Sequence, residues 1–207
     1  MGKQRGKFIV IEGVDCSGKT TQARRLVAAL RHRGIDVLAI REPGGTPVSE
    51  RVRRILLSHR GTMSPRTELL LYLAARAQVT AEKIAPALRA GKVVVADRYY
   101  LSTYAYQIGG RGLPADVVRT ADRFARLGVE PDLTFIFDVA PAEARRRLEA
   151  SGKKPDRMER QGAAFFARTR RYYLQAAKAG RNVVLLDGSR SPHVLAAEIL
   201  ARVLGEF

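Results

Sequence analysis

The sequence predicts an α/β fold: a five-stranded parallel sheet with helices on both faces. Three observations carry this. Five short apolar runs are spaced along the 207 residues, and stretches of helical periodicity separate them, which indicates βαβ units. The first run, Phe8-Ile9-Val10-Ile11, leads into Gly13-Val14-Asp15-Cys16-Ser17-Gly18-Lys19-Thr20. That stretch fits the phosphate-loop pattern G-x-x-x-x-G-K-[ST]. Thr20 to Leu30 then places Ala23, Leu26, Val27 and Leu30 on one helical face. Strand, glycine-rich turn and helix is the context such a loop requires.

The chemistry of the loop follows from its residue types. Gly13 and Gly18 let the backbone wrap a phosphate with N–H groups pointing inward. The helix N-terminus adds partial positive charge beneath it. Lys19 would reach the β- and γ-phosphates of a nucleotide, and the Thr20 hydroxyl would bind Mg²⁺.

The remaining elements follow in order. Gly34 punctuates the end of the first helix, and Asp36 to Ile40 reads as the second strand. Arg41-Glu42-Pro43-Gly44-Gly45-Thr46 is a turn-rich loop at the carboxyl end of that strand, where such sheets open onto ligands. Val48 to Leu57 is helical, and Ser58 to Pro65 is a loop. Arg66 to Ala90 carries a stripe of Leu70, Ala74, Ala77, Ala81, Ile84 and Leu88 with a period near 3.6. Pro86 should break this helix near Ala85. Val93 to Ala96 is a fully apolar strand with Asp97-Arg98 at its carboxyl end. Tyr99 to Gly112 holds polar aromatics and three glycines and reads as a site loop with a short helix. Leu113 to Leu127 is helical, with Pro114 in its first turn. Leu133 to Val139 is a strand and Pro141 to Ala150 a helix. Ser151 to Arg160, rich in Gly, Pro, Lys and Arg, is a mobile loop. Gln161 to Ala179 is helical, Val183 to Leu186 is the fifth strand, and Ser191 to Gly205 is the last helix.

Composition narrows the class. The length suits one domain, residues 1–207, with a sizeable core. One cysteine permits no internal disulfide and points to a reducing cytoplasm. The basic start Met1 to Lys7 is followed by no long apolar stretch, so neither signal peptide nor membrane span is expected. The formal net charge of +17 permits a nucleic-acid partner. The basic residues are spread along the chain, however, and alternate with apolar ones as on solvated helix faces. A positive field also steers in the polyanionic substrates that a phosphate loop takes.

Several side chains are candidates for chemistry. Asp97 follows a buried strand and can hold the Mg²⁺ shell; its plain alternative is a turn cap. Arg98 can clamp a second phosphate through its planar fork. Tyr72 and Arg76 lie four apart on one helical face and together could stack on and hydrogen-bond a base. Spacing alone favours a core tyrosine and a solvated arginine. The histidines His32, His59 and His193 are isolated and receive no role. A phosphate acceptor needs no strong base, since a monoester's second pKa is about 6. Catalysis would then rest on positioning and charge neutralisation. The loop from Ser151 to Arg160 could close as a lid and exclude water; on composition an ordinary solvated loop fits equally well.

Five pieces of the chain, in order, resemble the thymidylate kinase family. They are Ile11-Glu12-Gly13 with Asp15 and Gly18 to Gln22; Arg41 to Thr46; Glu68-Leu69-Leu70 with Ala74-Ala75-Arg76; Asp97-Arg98-Tyr99 with Ser102 and Ala105-Tyr106-Gln107; and Asp156-Arg157-Met158-Glu159. The resemblance runs from Phe8 to the last helix. It implies a P-loop nucleoside-monophosphate kinase fold with a lid at about 151–160. It implies an ATP-dependent, Mg²⁺-requiring transfer to dTMP in the service of dTTP synthesis, in the cytoplasm, by a homodimer without membrane or nucleic-acid partners. In this reading Gly13 to Thr20 hold ATP and Arg147 packs on adenine. Tyr72 stacks on thymine, Arg76 hydrogen-bonds the base, Thr103 reads its edge, and Gln107 lies close by. Tyr106 lies under the deoxyribose, where a 2′-hydroxyl would collide. Asp15 resembles the acid near the 3′-hydroxyl and acceptor phosphate, Arg98 the arginine between the phosphates, and Arg41 and Arg53 further acceptor-phosphate candidates. Lys19, Arg98, Arg157 and Asp15 carry the catalysis, and Thr20 and Asp97 the metal.

One position sorts the chain within the family. Some members carry an arginine in the phosphate loop directly after the acid; here that residue is Cys16. The other type, usual in bacteria, keeps its basic residues in the lid, where this chain has Lys153, Lys154, Arg157 and Arg160. Two alternatives stay open: a kinase of another nucleoside monophosphate or of a deoxynucleoside, and a nucleic-acid-binding P-loop protein.

Overall fold

The structure is a computed structural model and describes residues 5–58, 61–152, 154–180 and 182–206. Lys153, His59 and the start of the basic N-terminal run lie outside the described residues. Five strands form one sheet: β1 (Phe8–Gly13), β2 (Val37–Arg41), β3 (Val93–Asp97), β4 (Leu133–Asp138) and β5 (Val183–Asp187). Their order is β2-β3-β1-β4-β5, and every pairing is parallel. The helices are α1 (Lys19–His32), α2 (Pro47–Ser58), α3 (Pro65–Val79), α4 (Ala85–Arg89), α5 (Tyr100–Thr103), α6 (Ala115–Ala125), α7 (Pro141–Ala150), α8 (Ala163–Ala179) and α9 (Pro192–Leu204). Among the described residues no helix is long and apolar enough to cross a membrane.

Burial explains the strand composition. All six residues of central β1 are buried, as are all five of β3. A strand covered on both faces has no solvent side, so its sequence does not alternate. On one face Leu26 and Leu30 of α1 and Leu195 and Ile199 of α9 pack on Ile9, Ile11 and Phe135. On the other, Phe8, Val10 and Val94 meet Val79, Ile84, Leu88 and Tyr99. Next to them Ile136 meets Leu73, Phe165 and Tyr173.

Register places the site. Ile11 of β1 is level with Asp97 of β3, and Asp97 with Arg41 of β2. The strands therefore deliver Gly13, Arg41 and Asp97 to the same carboxyl edge. β1 has β3 on one side and β4 on the other, so the chain's connections diverge there. Such a switch point opens a crevice at the carboxyl ends.

The long helix expected over Arg66–Ala90 is interrupted, and earlier than Pro86. α3 begins after Ser64, whose hydroxyl accepts from Thr67 N at 3.1 Å as an N-cap. It runs to Val79. Thr80–Ile84 then forms a wider turn with i→i+5 bonds before α4, which contains Pro86. A proline ring collides with the carbonyl four residues back, here that of Glu82; widening the preceding turn relieves the collision.

A second wide turn, Tyr104–Gly110, follows α5 in the stretch expected to be a site loop. Its end lies close against α8: a Cβ on Gly110 would sit 2.4 Å from the Phe165 ring. α6 starts later than expected, because Pro114 is its cap with extended ψ. The stretch 151–160 contains no helix or strand among its described residues. The Asp156 carboxylate folds part of it by accepting from the backbone N–H groups of Met158 and Glu159 at 2.8 and 2.9 Å.

Candidate active site

The phosphate loop joins β1 to α1, and its backbone geometry shows why its residues are what they are. Gly13 has φ +140°, and a Cβ there would lie 2.7 Å from the Phe137 carbonyl oxygen. Cys16 adopts the left-handed region at φ 59°, as does Arg98 at φ 75°. Side chains enter that region at a cost, and such residues gather at functional sites. α1 has no side-chain cap and no acid in its first turn. Its first N–H groups are left for an anion. The buried Ser17 hydroxyl has no hydrogen-bond partner among the described residues, a second unsatisfied group in the same loop.

Three charged residues meet where the loop opens. Lys19 is buried; its Nζ donates to the Val14 carbonyl at 3.2 Å and lies 3.5 Å from Asp15. Arg98 Nη2 donates to Asp15 Oδ1 at 2.5 Å, and its Nη1 to Ser102 Oγ at 2.8 Å and the Gly13 carbonyl at 3.2 Å. Tyr106 donates to the other oxygen of Asp15 at 2.8 Å, and its ring lies under the Arg98 guanidinium. Burial works against the Asp15 charge, but Arg98 and Lys19 outweigh it and hold the carboxyl well below the usual carboxylate range. Burial and the neighbouring Arg98 push the Lys19 ammonium down.

Behind them stands Glu12, wholly buried on β1. It accepts from Tyr99 N at 2.8 Å, from Ser102 Oγ at 2.6 Å and from Tyr173 OH at 3.0 Å. Burial pushes its carboxyl up, opposed by Arg98 and by these bonds. Glu12 thus fixes the start of α5 and, through Ser102, the Arg98 guanidinium.

A cavity extends from Asp15 and Arg98 away from the phosphate loop. Its lining includes Arg53, Tyr72, Arg76, Thr103, Tyr106 and Gln107. Among the acceptor-site candidates Arg41 alone is not brought there; it is half-exposed and pairs with Glu50 at 3.3 Å. Arg53 donates to the Pro43 carbonyl at 2.9 Å.

Arg76 departs from the solvated reading of its spacing. It is 2% exposed. Its Nε and Nη2 reach Glu42 Oε2 at 2.8 and 2.7 Å, and its Nη1 reaches Thr103 Oγ1 and Asp122 Oδ1, both at 2.8 Å. Two buried carboxylates hold its guanidinium firmly charged.

The groups expected to hold a metal are adjacent. Thr20 Oγ1 donates to Asp97 Oδ2 at 2.5 Å, while the buried Asp97 Oδ1 has no partner among the described residues. Hard oxygen donors with one valence unmet fit Mg²⁺, which keeps most of its shell as water and nucleotide phosphate. Among the described residues there is no cluster of three acidic, histidine or cysteine side chains that could hold a metal ion.

On the far side of the loop, Arg147 Nη2 donates to the Gly188 carbonyl at 3.0 Å and Nη1 reaches that of Cys16 at 3.5 Å. A second cavity of about 760 Å³ borders Val14, Asp15 and Cys16 and is lined by Leu148, Arg160 and Phe166 among others. Arg160 thus lines the same cavity as these loop residues. Arg157 does not: its Nε donates to the Leu56 carbonyl at 2.8 Å and its Nη1 to Glu68 at 2.5 Å.

Sequence reasoning missed the acids Glu12, Glu42, Glu68 and Asp122 as site residues. Glu68 had a signal: it lies four residues before Tyr72 and eight before Arg76, on one helix face.

Most of the chain matches proteins of one family. The thymidylate kinase family model matches residues 11–199. A thymidylate kinase of Pseudomonas putida is 45% identical over 202 residues, covering 97% of this chain and 96% of that one. One from Bordetella petrii is 47% identical over 201 residues, covering 96% and 95%. One from Pelotomaculum thermopropionicum is 46% identical over 198 residues, covering 95% and 92%. With a phosphate loop, a charged junction and a partly polar cavity beside them, and matches of this extent, the chain belongs to the thymidylate kinase family.

Proposed function

We infer that the protein transfers the γ-phosphoryl group of ATP to dTMP, giving ADP and dTDP. One observation carries the reading: Asp15, Lys19 and Arg98 stand where the phosphate loop and the acceptor cavity meet. Two anions brought together there repel, and fixed cations between them offset that repulsion. In this reading the loop from Gly13 to Thr20 binds the donor phosphates and Arg147 packs on adenine. Lys19 and Arg98 neutralise charge on the moving group, and Asp15 holds both in place. Thr20 and Asp97 would hold Mg²⁺, which supplies charge neutralisation at the donor phosphates. The acceptor lies along Arg53, Tyr72, Arg76, Thr103, Tyr106 and Gln107. The chain forms a single domain in which residues 151–160 act as the lid. The test offers ATP with each nucleoside monophosphate in turn. dTMP should give the highest kcat/KM; a better substrate among the others would sink the assignment.

Tyr72 gives a sharper check of the acceptor cavity. Base–aromatic stacking is worth about 1–3 kcal/mol. Tyr72→Ala should therefore raise KM for dTMP about tenfold and leave KM for ATP unchanged. Arg76→Ala is the poorer probe. It strands the buried Glu42, although Asp122 keeps Arg126 and Tyr104, and breaking such a buried pairing costs about 3–5 kcal/mol of stability.

The reading includes a homodimer formed through α3 and α6. Leu70, Val117 and Leu127 are more than half exposed and Phe124 is 84% exposed. An apolar face of this kind marks an association surface. Phe124→Glu should convert a dimer to a monomer in light scattering. An unchanged mass would place the interface elsewhere.

A further inference from the structure

Glu68 sits on α3 with no exposed side-chain surface. It accepts four hydrogen bonds. Gln107 Nε2 and Arg111 Nε reach Oε1 at 2.9 and 3.0 Å. Arg111 Nη2 and Arg157 Nη1 reach Oε2 at 2.9 and 2.5 Å. With two guanidinium groups upon it the carboxylate stays ionised, and an ionised carboxylate only accepts.

That restriction fixes Gln107. A glutamine amide has a donating end and an accepting end of nearly the same shape. Only the NH₂ end can face Glu68, so the oxygen must turn away. Gln107 is 1% exposed and lines the acceptor cavity. Its Oε1 takes part in no hydrogen bond among the described residues, yet it is not among the enclosed polar atoms lacking a partner. It opens on the cavity.

Arg76 is fixed in the opposite sense. Hydrogen bonds to Glu42, Thr103 and Asp122 engage its Nε–H and both N–H groups of Nη1, so the donor capacity left is on Nη2, which lies 2.7 Å from Glu42 Oε2. The cavity therefore offers a donor at Arg76 and an acceptor at Gln107, and neither can change polarity. Thymine presents O4 as acceptor and N3–H as donor. Cytosine reverses both, with an amino group at C4 and a bare N3.

We propose that Glu68 is a positioning residue for base selection: it holds the Gln107 oxygen toward the acceptor cavity, so that the site takes the N3–H of thymine and refuses the N3 of cytosine. The inference rests on dTMP being the acceptor. Glu68 itself need not touch the base.

The test measures dTMP and dCMP binding by calorimetry in the full-length protein. Glu68→Gln lets the Gln107 amide turn over, so the preference for dTMP over dCMP should fall about tenfold, the effect of one buried hydrogen bond mismatched. Adding Gln107→Glu to Glu68→Gln restores an acceptor-only group at 107 with an amide behind it, and should regain the preference. Gln107→Leu keeps both arginine pairs on Glu68, which protects the fold. It should weaken dTMP about tenfold and leave dCMP unchanged. A ratio that stays at the parent's value in Glu68→Gln overturns the proposal, as does equal loss of both nucleotides in Gln107→Leu. So does a preference that the double variant fails to regain. A parent protein binding dCMP as tightly as dTMP would instead sink the acceptor assignment.

Discussion

Lys19→Ala is expected to lower kcat by about 10²–10³-fold, the cost of removing one preorganised group from developing transition-state charge. Lys19 is 7% exposed, and burial together with Arg98 disfavours its charge. A nucleotide triphosphate in the loop relieves that disfavour, and most of all when charge moves onto the transferring group. The interaction is thus stronger in the transition state than in the ground state, which is the condition for an effect on kcat. The fold should survive. Asp15 keeps its bonds from Arg98 and Tyr106, so no buried carboxylate is left alone. Steady-state kinetics and a thermal melt on the same sample check both halves. Near-parent turnover would mean that the loop does not hold the donor, and a large drop in Tm would mean that Lys19 is structural.

The parts of the molecule legible in the sequence are those whose cause is local. Val93 to Ala96 is wholly buried, and an uninterrupted apolar run follows from that directly. The phosphate loop is legible because its backbone needs glycine at fixed positions. The interruption of the long helix was legible in kind but not in place, because a proline acts on the turn before it and the widened turn begins at Thr80. Half of the site is made of partners, and partners were not legible. Arg76 looks solvated by spacing, but Glu42 and Asp122 meet it from distant parts of the chain. A charge reads as solvated until its counter-charge is known. Arg41 shows the converse: it sits at a strand's carboxyl edge, as Asp97 does, yet Glu50 takes its charge outside the cavity.

Arg157→Ala carries the other large expected effect, about 10³-fold or more in kcat with small changes in either KM, as for an arginine that arrives on transferring phosphate. The phosphate loop supplies no arginine of its own, since Cys16 stands after Asp15. In the proposed reading residues 151–160 supply it. Arg157 is held by Glu68 and the Leu56 carbonyl, and its buried Nη2 has no partner among the described residues. Leaving that position costs little at the other end. Glu68 retains Arg111 and Gln107, so its charge is not stranded, and the unpaired Nη2 gains phosphate oxygens. Arg160 is the competitor, since it already lines the cavity beside Val14, Asp15 and Cys16. The two variants separate them. Arg157→Ala should lose turnover where Arg160→Ala loses little, and adding Cys16→Arg to Arg157→Ala should return part of the rate by placing a guanidinium on the loop. Near-parent turnover in Arg157→Ala together with a heavy loss in Arg160→Ala would assign the donor phosphates to Arg160 and leave Arg157 as the tether of the lid to Glu68.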